Sequence, residues 1–227
     1  MIELTRCHNC LSLYALTLHA QGKAAILSVK QRGSTMYKPQ SLEQVVLVDE
    51  NDRPVGTTDK STVHTQDTPL HRAFSLFLFD DHNRLLLQRR AEHKVTWPGI
   101  WSNSVCGHPL PDEGYTAAAQ RRLSYELGIH VPTEAIHMVI PDYRYRYEFQ
   151  GVVENEFCPV LVVRQAVTPK PNPDEVSDIR WVQWDDFLNE IQQPNTYSEW
   201  CVEEAQLLAK SEKLQHILRN TTGGDSL

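Results

Sequence analysis

Three things are scarce in this 227-residue chain, and each scarcity removes a class of protein. No apolar stretch reaches the ~18 uninterrupted residues that a membrane helix requires. The opening residues, MIELTRCHNC, lack the basic-then-apolar order of a signal peptide, so the expectation is a soluble cytoplasmic protein with no membrane partner. Basic residues are outnumbered, 22 Lys and Arg against 29 Asp and Glu, for a formal net charge of −7. Binding a phosphate backbone usually needs a clustered excess of cations, which argues against nucleic acid as a partner. Cysteine is sparse as well. Cys7, Cys10, Cys106, Cys158 and Cys201 are too few and too scattered for a disulfide framework in a chain of this size, and all are read as thiols.

With 41% apolar residues the chain can bury a full core, and at roughly 150 residues per domain it reads as one domain plus an appendage. The appendage is residues 1–42, an acid-poor extension of uncertain structure in which Arg6, Lys23, Lys30 and Arg32 meet only Glu3. Its Cys7-x-x-Cys10 has no second pair at zinc-site spacing and reads as two plain thiols. Residues 43–219 form the expected domain and 220–227 a frayed tail. Within the domain, EQVVLVDENDRPVGTT and HRAFSLFLFDDHNRLLLQRR each read as strand, polar turn and returning strand. The nearly continuous apolar run of the second pair suits a sheet covered on both faces.

YTAAAQRRLSYELG follows, with Ala118, Leu123 and Leu127 near one helical stripe and Gly128 where a helix-terminating glycine belongs. Further strands are expected at Met138–Ile140, Tyr143–Phe149, Asn155–Arg164 and Ile179–Trp184, then a last amphipathic helix from about Ser198 to Leu218.

Three segments gather more reactive side chains than a fold alone asks for. In TWPGIWSNSVCGHP, Cys106 and His108 are two residues apart and share a face of an extended chain. In VVENEFCPV, Glu154 and Glu156 alternate in the same way, and two carboxylates on one face of an apolar sheet repel unless a cation or a proton lies between them. His64 and His71 bracket QDTPL. Three imidazoles with two carboxylates form a mixed nitrogen and oxygen set, suited to Mn²⁺, Zn²⁺ or Mg²⁺ more than to a soft thiolate cage.

The run Gly107-x5-Glu113-x7-Arg121-Arg122-Leu123-Ser124-Tyr125-Glu126-Leu127-Gly128-Ile129 resembles a Nudix box, the loop and helix that hold Mg²⁺ on a diphosphate in Nudix hydrolases. It departs from that pattern where Arg122 and Tyr125 each replace an acid, which removes charge that would hold metals and orient a hydrolytic water. Together with TWPGIWSNSVCGHP, YRYRY and ENEFCP, these departures resemble the type 1 isopentenyl-diphosphate isomerases of bacteria over about residues 43–205. The resemblance implies a Nudix-type α/β/α sandwich with a mixed sheet between helices. It also implies conversion of isopentenyl diphosphate to dimethylallyl diphosphate, an isoprenoid-precursor step.

By the same resemblance, Cys106 and Glu156 are the acid/base pair, Tyr145 hydrogen-bonds the glutamate and Trp200 presents its indole face to a carbocation. His64, His71, His108, Glu154 and Glu156 would hold one divalent ion. Glu126, with the Cys106 carbonyl, would hold a second Mg²⁺ on the diphosphate, and Lys60, Arg90, Lys94 and Arg122 would bind the phosphates. The expected partner is a small-molecule diphosphate, and the expected state a monomer. A Nudix hydrolase of a nucleoside diphosphate derivative and a non-catalytic diphosphate-binding module are the competing readings. A flavin-dependent isomerase is disfavoured for want of a Gly-rich flavin site and a barrel-length chain.

Overall fold

The computed structural model describes residues 43–194 and 196–219, so the expectations for residues 1–42, Cys7 and Cys10 included, and for 220–227 lie outside the described residues. In chain order the elements are β1 (Gln44–Val48), β2 (Pro54–Asp59), the single turn α1 (Lys60–Val63), β3 (His71–Arg72), β4 (Phe74–Phe79), β5 (Arg84–Arg90), β6 (Trp101–Ser102) and β7 (Val105–Gly107). They continue with α2 (Tyr115–Leu127), β8 (Ile136–Ile140), β9 (Arg144–Phe149), β10 (Val152–Phe157), β11 (Val160–Arg164), β12 (Val176–Gln183), α3 (Trp184–Glu190), α4 (Glu199–Ala209) and α5 (Glu212–Arg219).

The strands make two sheets where one was expected. The larger, ordered β12-β5-β4-β11-β8 with β6 and β7 paired to β5 and β4, is mixed, because β4 and β11 run parallel. Every residue of β4 is buried, as its unbroken apolar run requires. Alternate side chains serve two cores. Phe77, Phe79, Leu85, Leu87, Val160 and Val162 pack with Phe187 of α3, Trp200, Cys201, Ala205 and Leu208 of α4 and Leu214 of α5. Phe74, Leu76, Leu78, Leu86, Leu161 and Val163 face the other way, onto Ala118, Ala119, Leu123 and Leu127 of α2. The result is the expected α/β/α layering.

The smaller sheet, β2-β1-β3-β10-β9, joins the larger one along two adjacent strands. At Ala73 the chain passes from β3 to β4, and at Cys158–Pro159 from β10 to β11. The strands run side by side through the bend, with the Ala73 N–H donating to the Phe157 carbonyl at 2.9 Å and the Ser75 N–H to the Pro159 carbonyl at 3.2 Å. Pro159 has no N–H to continue a ladder, so the single strand expected over Asn155–Arg164 divides there.

Three further boundaries differ from expectation. The last helix breaks at Lys210–Ser211, and the short helices α1 and α3 escape a reading based on periodicity because neither is long enough to show one. Helix α2 ends as expected. Gly128, at φ +62°, donates to the Ser124 carbonyl while Ile129 donates to that of Leu123, a paired closure that needs the left-handed residue. Among the described residues no helix is long and apolar enough to cross a membrane.

Candidate active site

The bend between the sheets sets His71 beside Glu156, which are register partners on the parallel strands β3 and β10. Glu154 lies two residues back on the same face, and His64 follows α1, whose start is capped by the Asp59 side chain accepting from the Ser61 N–H at 2.8 Å. His108 comes from the residue after β7. One nitrogen or oxygen from each of these five residues lies within 4.8 Å of all the others. His71 and His108 approach Nε2 to Nε2 at 3.2 Å, and His108 Nε2 stands 3.0 Å and His71 Nε2 3.5 Å from Glu156 Oε1. His64 Nε2 faces Glu154 Oε2 at 3.0 Å, yet neither atom makes a hydrogen bond.

This donor set fits a divalent cation. His71 is fully buried, and its Nδ1–H donating to the Pro69 carbonyl at 2.9 Å leaves Nε2 as a lone-pair donor aimed into the cluster. At His108 and Glu156 the electrostatics run the same way. Burial pushes the His108 imidazole down to about 4, against the pull of Glu156. At His71 burial is outweighed by Glu156 and Glu154, so its value is raised, and at Glu156 burial is outweighed by His108 and His71, so the carboxyl lies well below its usual range. Neutral imidazole and ionised carboxylate are the forms that bind metal, so a cation entering the cluster would displace the proton that the two carboxylates favour on His71.

Cys106 sits next to this cluster but turns to different partners. Its side chain lies on the α4 side of the larger sheet, donating to Asn103 Oδ1 at 3.2 Å and standing 3.5 Å from the Ser75 hydroxyl. Burial and the nearby Glu204 push the thiol up to about 12, against Ser75, Arg90 and Asn103, so the group carries its proton at neutral pH. Tyr145 bridges from the other side, its hydroxyl donating to Glu156 Oε2 at 2.6 Å. Its ring stacks on Trp200 at 5.5 Å and 18°, so two electron-rich faces line the space by the acid/base candidates.

Several positioning residues had not been singled out from the sequence. Tyr143, just before β9, and Tyr147 on β9 flank Tyr145 with ring centres 5.8 and 5.4 Å from its own, and Glu203 on α4 accepts from Tyr143 at 2.8 Å and from Tyr147 at 2.5 Å. The i, i+2, i+4 spacing in YRYRY was the available signal. Trp97, at φ +46° before Pro98, is a strained residue held by donating to Glu199 Oε2 at 2.6 Å and by an edge contact with Trp200 at 4.9 Å. Ser102 and Ser198, 2.9 Å apart, tie the same segment to the start of α4. A cavity of about 480 Å³ opens behind Trp97 and Tyr147, lined also by Phe149, Tyr197, Glu199 and Glu203, but Cys106 and Glu156 do not line it.

Three of the four expected phosphate-binding cations converge around carboxylates. Lys60 Nζ lies 2.6 Å from Glu43, Lys94 Nζ 2.5 Å from Glu175, and buried Arg122 reaches Glu126 at 2.7 Å and Glu175 at 3.1 Å. Burial, then the charge of Arg122, lowers Lys60 below the ordinary lysine range. Gly107 lets Arg122 in: a Cβ there would stand 2.9 Å from Arg122 Cγ. Arg90 has other partners. It donates to the Thr96 carbonyl and hydroxyl and lies 6.0 Å from the centre of the Trp200 ring. On α2 the carboxylate of Glu126 stands in this group, accepting from Gln88 at 3.2 Å and from Arg122.

Comparison with known proteins agrees with this geometry. The model of the NUDIX domain matches residues 69–201. Proteins named isopentenyl-diphosphate Delta-isomerase are similar over most of the chain. That of Agromyces mediolanus is 43% identical over 81% of this chain and 89% of its own length. That of Klebsiella pneumoniae is 45% identical over 72% and 89%. A solved structure from Deinococcus radiodurans, DR0079, shares the fold with a TM-score of 0.57 at 22% identity, covering 73% of this chain and 98% of that one. The chain belongs to the Nudix family and, within it, to the family of the isopentenyl-diphosphate Delta-isomerases.

Proposed function

We propose that the chain converts isopentenyl diphosphate to dimethylallyl diphosphate, supplying an isoprenoid precursor. The observation that carries this reading is a proton-bearing thiol and an ionised carboxylate, Cys106 and Glu156, set around stacked Tyr145 and Trp200 in a chain of this family. Moving the double bond requires one proton delivered to a terminal alkene carbon and another removed two carbons away, through a tertiary cation. Cys106 and Glu156 are the two groups that exchange protons with substrate carbon, from opposite sides. Tyr145, hydrogen-bonded to Glu156 at 2.6 Å and kept a neutral phenol first by burial and then by the charge of Glu156, holds that carboxylate and relays its proton. Trp200 turns an indole face to the cation and, with Tyr145, excludes water.

A divalent ion, Mn²⁺, Mg²⁺ or Zn²⁺, would be held by His64, His71, His108, Glu154 and Glu156 and would supply positive charge that sets the acidity of Glu156. A Mg²⁺ accompanying the diphosphate would be held by Glu126 and the Cys106 carbonyl. Lys60, Lys94 and Arg122 bind the diphosphate by exchanging their carboxylate partners for phosphate oxygens. Arg90 completes the binding set from the Trp200 side.

We further propose that the protein works as a cytoplasmic monomer on this small-molecule substrate, without nucleic-acid or membrane partners. The direct test is conversion of isopentenyl diphosphate by wild type, Cys106→Ala and Glu156→Gln, all three checked for fold by circular dichroism. Wild type is expected to turn over and both variants to be inactive. Release of phosphate in place of dimethylallyl diphosphate would favour hydrolysis, which α2, with Arg122 and Tyr125 at the two departing positions, is poorly charged to support.

A further inference from the structure

Asn103 occupies the two-residue connection between β6 and β7 and is fully buried, where an apolar side chain would be the ordinary choice. Every hydrogen-bonding position of its amide is filled. Nδ2 donates to the Leu76 carbonyl at 3.2 Å and to the Val105 carbonyl at 3.1 Å, while Oδ1 accepts from the Ser102 hydroxyl at 2.8 Å and from the Cys106 thiol at 3.2 Å. Two donated hydrogens and two occupied lone pairs are the full capacity of the group. A buried polar network with every member satisfied is rigid and keeps one arrangement.

That arrangement has a direction. Leu76 and Val105 are register partners on β4 and β7, and their carbonyls can only accept, so the amide cannot turn over without setting an oxygen against two oxygens. Oδ1 therefore faces the thiol, and the hydrogen between it and sulfur belongs to Cys106. Cys106 follows Val105 on β7, so the amide grips the strand's backbone with one end and the reacting side chain with the other. The thiol's other neighbour is less fixed. The Ser75 hydroxyl stands 3.5 Å from Cys106 Sγ and 3.5 Å from Cys158 Sγ, a rotor shared between two thiols.

We propose that Asn103 is a positioning residue whose amide oxygen fixes the place of Cys106 Sγ beside the substrate carbon. This rests on the isomerase reading and names the group on which the placement of the thiol depends. Proton transfer to carbon tolerates little displacement of the donor, and a shift of about 1 Å can lower a rate about 100-fold. From the held position the S–H reaches carbon by rotation about the Cβ–Sγ bond. Asn103 itself touches no substrate atom and exchanges no proton. Its contribution falls on kcat and not on binding of the diphosphate, for which Lys60, Lys94 and Arg122 form a separate group.

The test compares wild type, Asn103→Ala and Ser75→Ala by kcat and KM with isopentenyl diphosphate and by the infrared S–H stretch of Cys106, assigned as the band lost in Cys106→Ala. In wild type that band is expected below the wavenumber of a free thiol. In Asn103→Ala it is expected to rise to the free-thiol position, with kcat lower by about tenfold or more at unchanged KM. Ser75→Ala is expected to keep the band low and kcat within about threefold of wild type. Asn103→Ala should also lose stability, because two buried carbonyls lose a donor, so the band and the KM-against-kcat split separate positioning from support of the fold. A free-thiol band in wild type would overturn the proposal, as would an unmoved band or undiminished kcat in folded Asn103→Ala. Equal losses of kcat in the two variants would overturn it in favour of the Ser75 hydroxyl. If Asn103→Ala does not fold, Ser75→Ala decides: a band that stays low supports Asn103 as the acceptor, and a band that rises overturns it. An inactive wild type would remove the isomerase reading and this inference with it, whereas an active wild type matched by Asn103→Ala removes the inference alone.

Discussion

The His64–His71–His108–Glu154–Glu156 cluster and the Lys60–Lys94–Arg122 cluster both gather ionisable groups at the site, but only in the second does every side chain meet an oppositely charged partner in a closed ion pair. Glu43, Glu126 and Glu175 close the cationic group with contacts of 2.5 to 3.1 Å. In the histidine cluster two imidazole nitrogens face each other at 3.2 Å, and His64 Nε2 and Glu154 Oε2 make no hydrogen bond. The difference separates two ways of preparing a polar site. One region is left electrostatically incomplete and is completed by a cation, while the other is complete as folded and opens by exchanging one anion for another.

Removing ligands from the incomplete region should have the largest effect. His71→Ala, or treatment with a chelator, is expected to lower turnover by on the order of 10³-fold, about 4 kcal/mol in the barrier. The check is the steady-state rate before and after adding back Mn²⁺, Mg²⁺ or Zn²⁺. If chelation leaves the rate unchanged, the cluster needs no cation and the contrast fails.

Next comes Arg122→Ala in the complete region, which strands buried Glu126 and half-buried Glu175 and should cost about 3–5 kcal/mol of stability. Urea denaturation measures it, and a loss under 1 kcal/mol would mean that the ion pairs do not close that region. Lys94→Ala should act on binding, raising KM roughly tenfold, about 1.4 kcal/mol, with little change in kcat. The smallest effect sharpens the exchange idea. Glu43→Gln removes a resident anion from Lys60 and should lower KM two- to fivefold, whereas a KM that rises would show Glu43 assisting the substrate rather than competing with it.

The incomplete cluster was also the part most legible in the sequence. Cys106-x-His108 and Glu154-x-Glu156 are two-residue alternations, and strand geometry alone puts each pair on a shared face. Continuous apolar β4 announced a covered sheet, and Gly128 announced the end of α2. The bend at Cys158–Pro159 was not legible, because VVENEFCPVLVV reads as one strand until its hydrogen bonds are followed into two sheets. Glu43, Glu175 and Glu203 were missed for a related reason. Each is an ordinary acid locally, and it acquires a role only from partners far along the chain, such as Lys60, Lys94 and Tyr143.

The central claim, that Cys106 and Glu156 exchange protons with substrate carbon beside a cation-dependent cluster, is tested most directly by NMR of isopentenyl diphosphate with the protein and Mg²⁺ in D₂O, with and without chelator. The account predicts dimethylallyl diphosphate appearing with deuterium in its carbon skeleton, and both signals lost when chelator is present. An unlabelled skeleton accompanied by diphosphate cleavage would contradict it and return Cys106 to the status of a buried thiol.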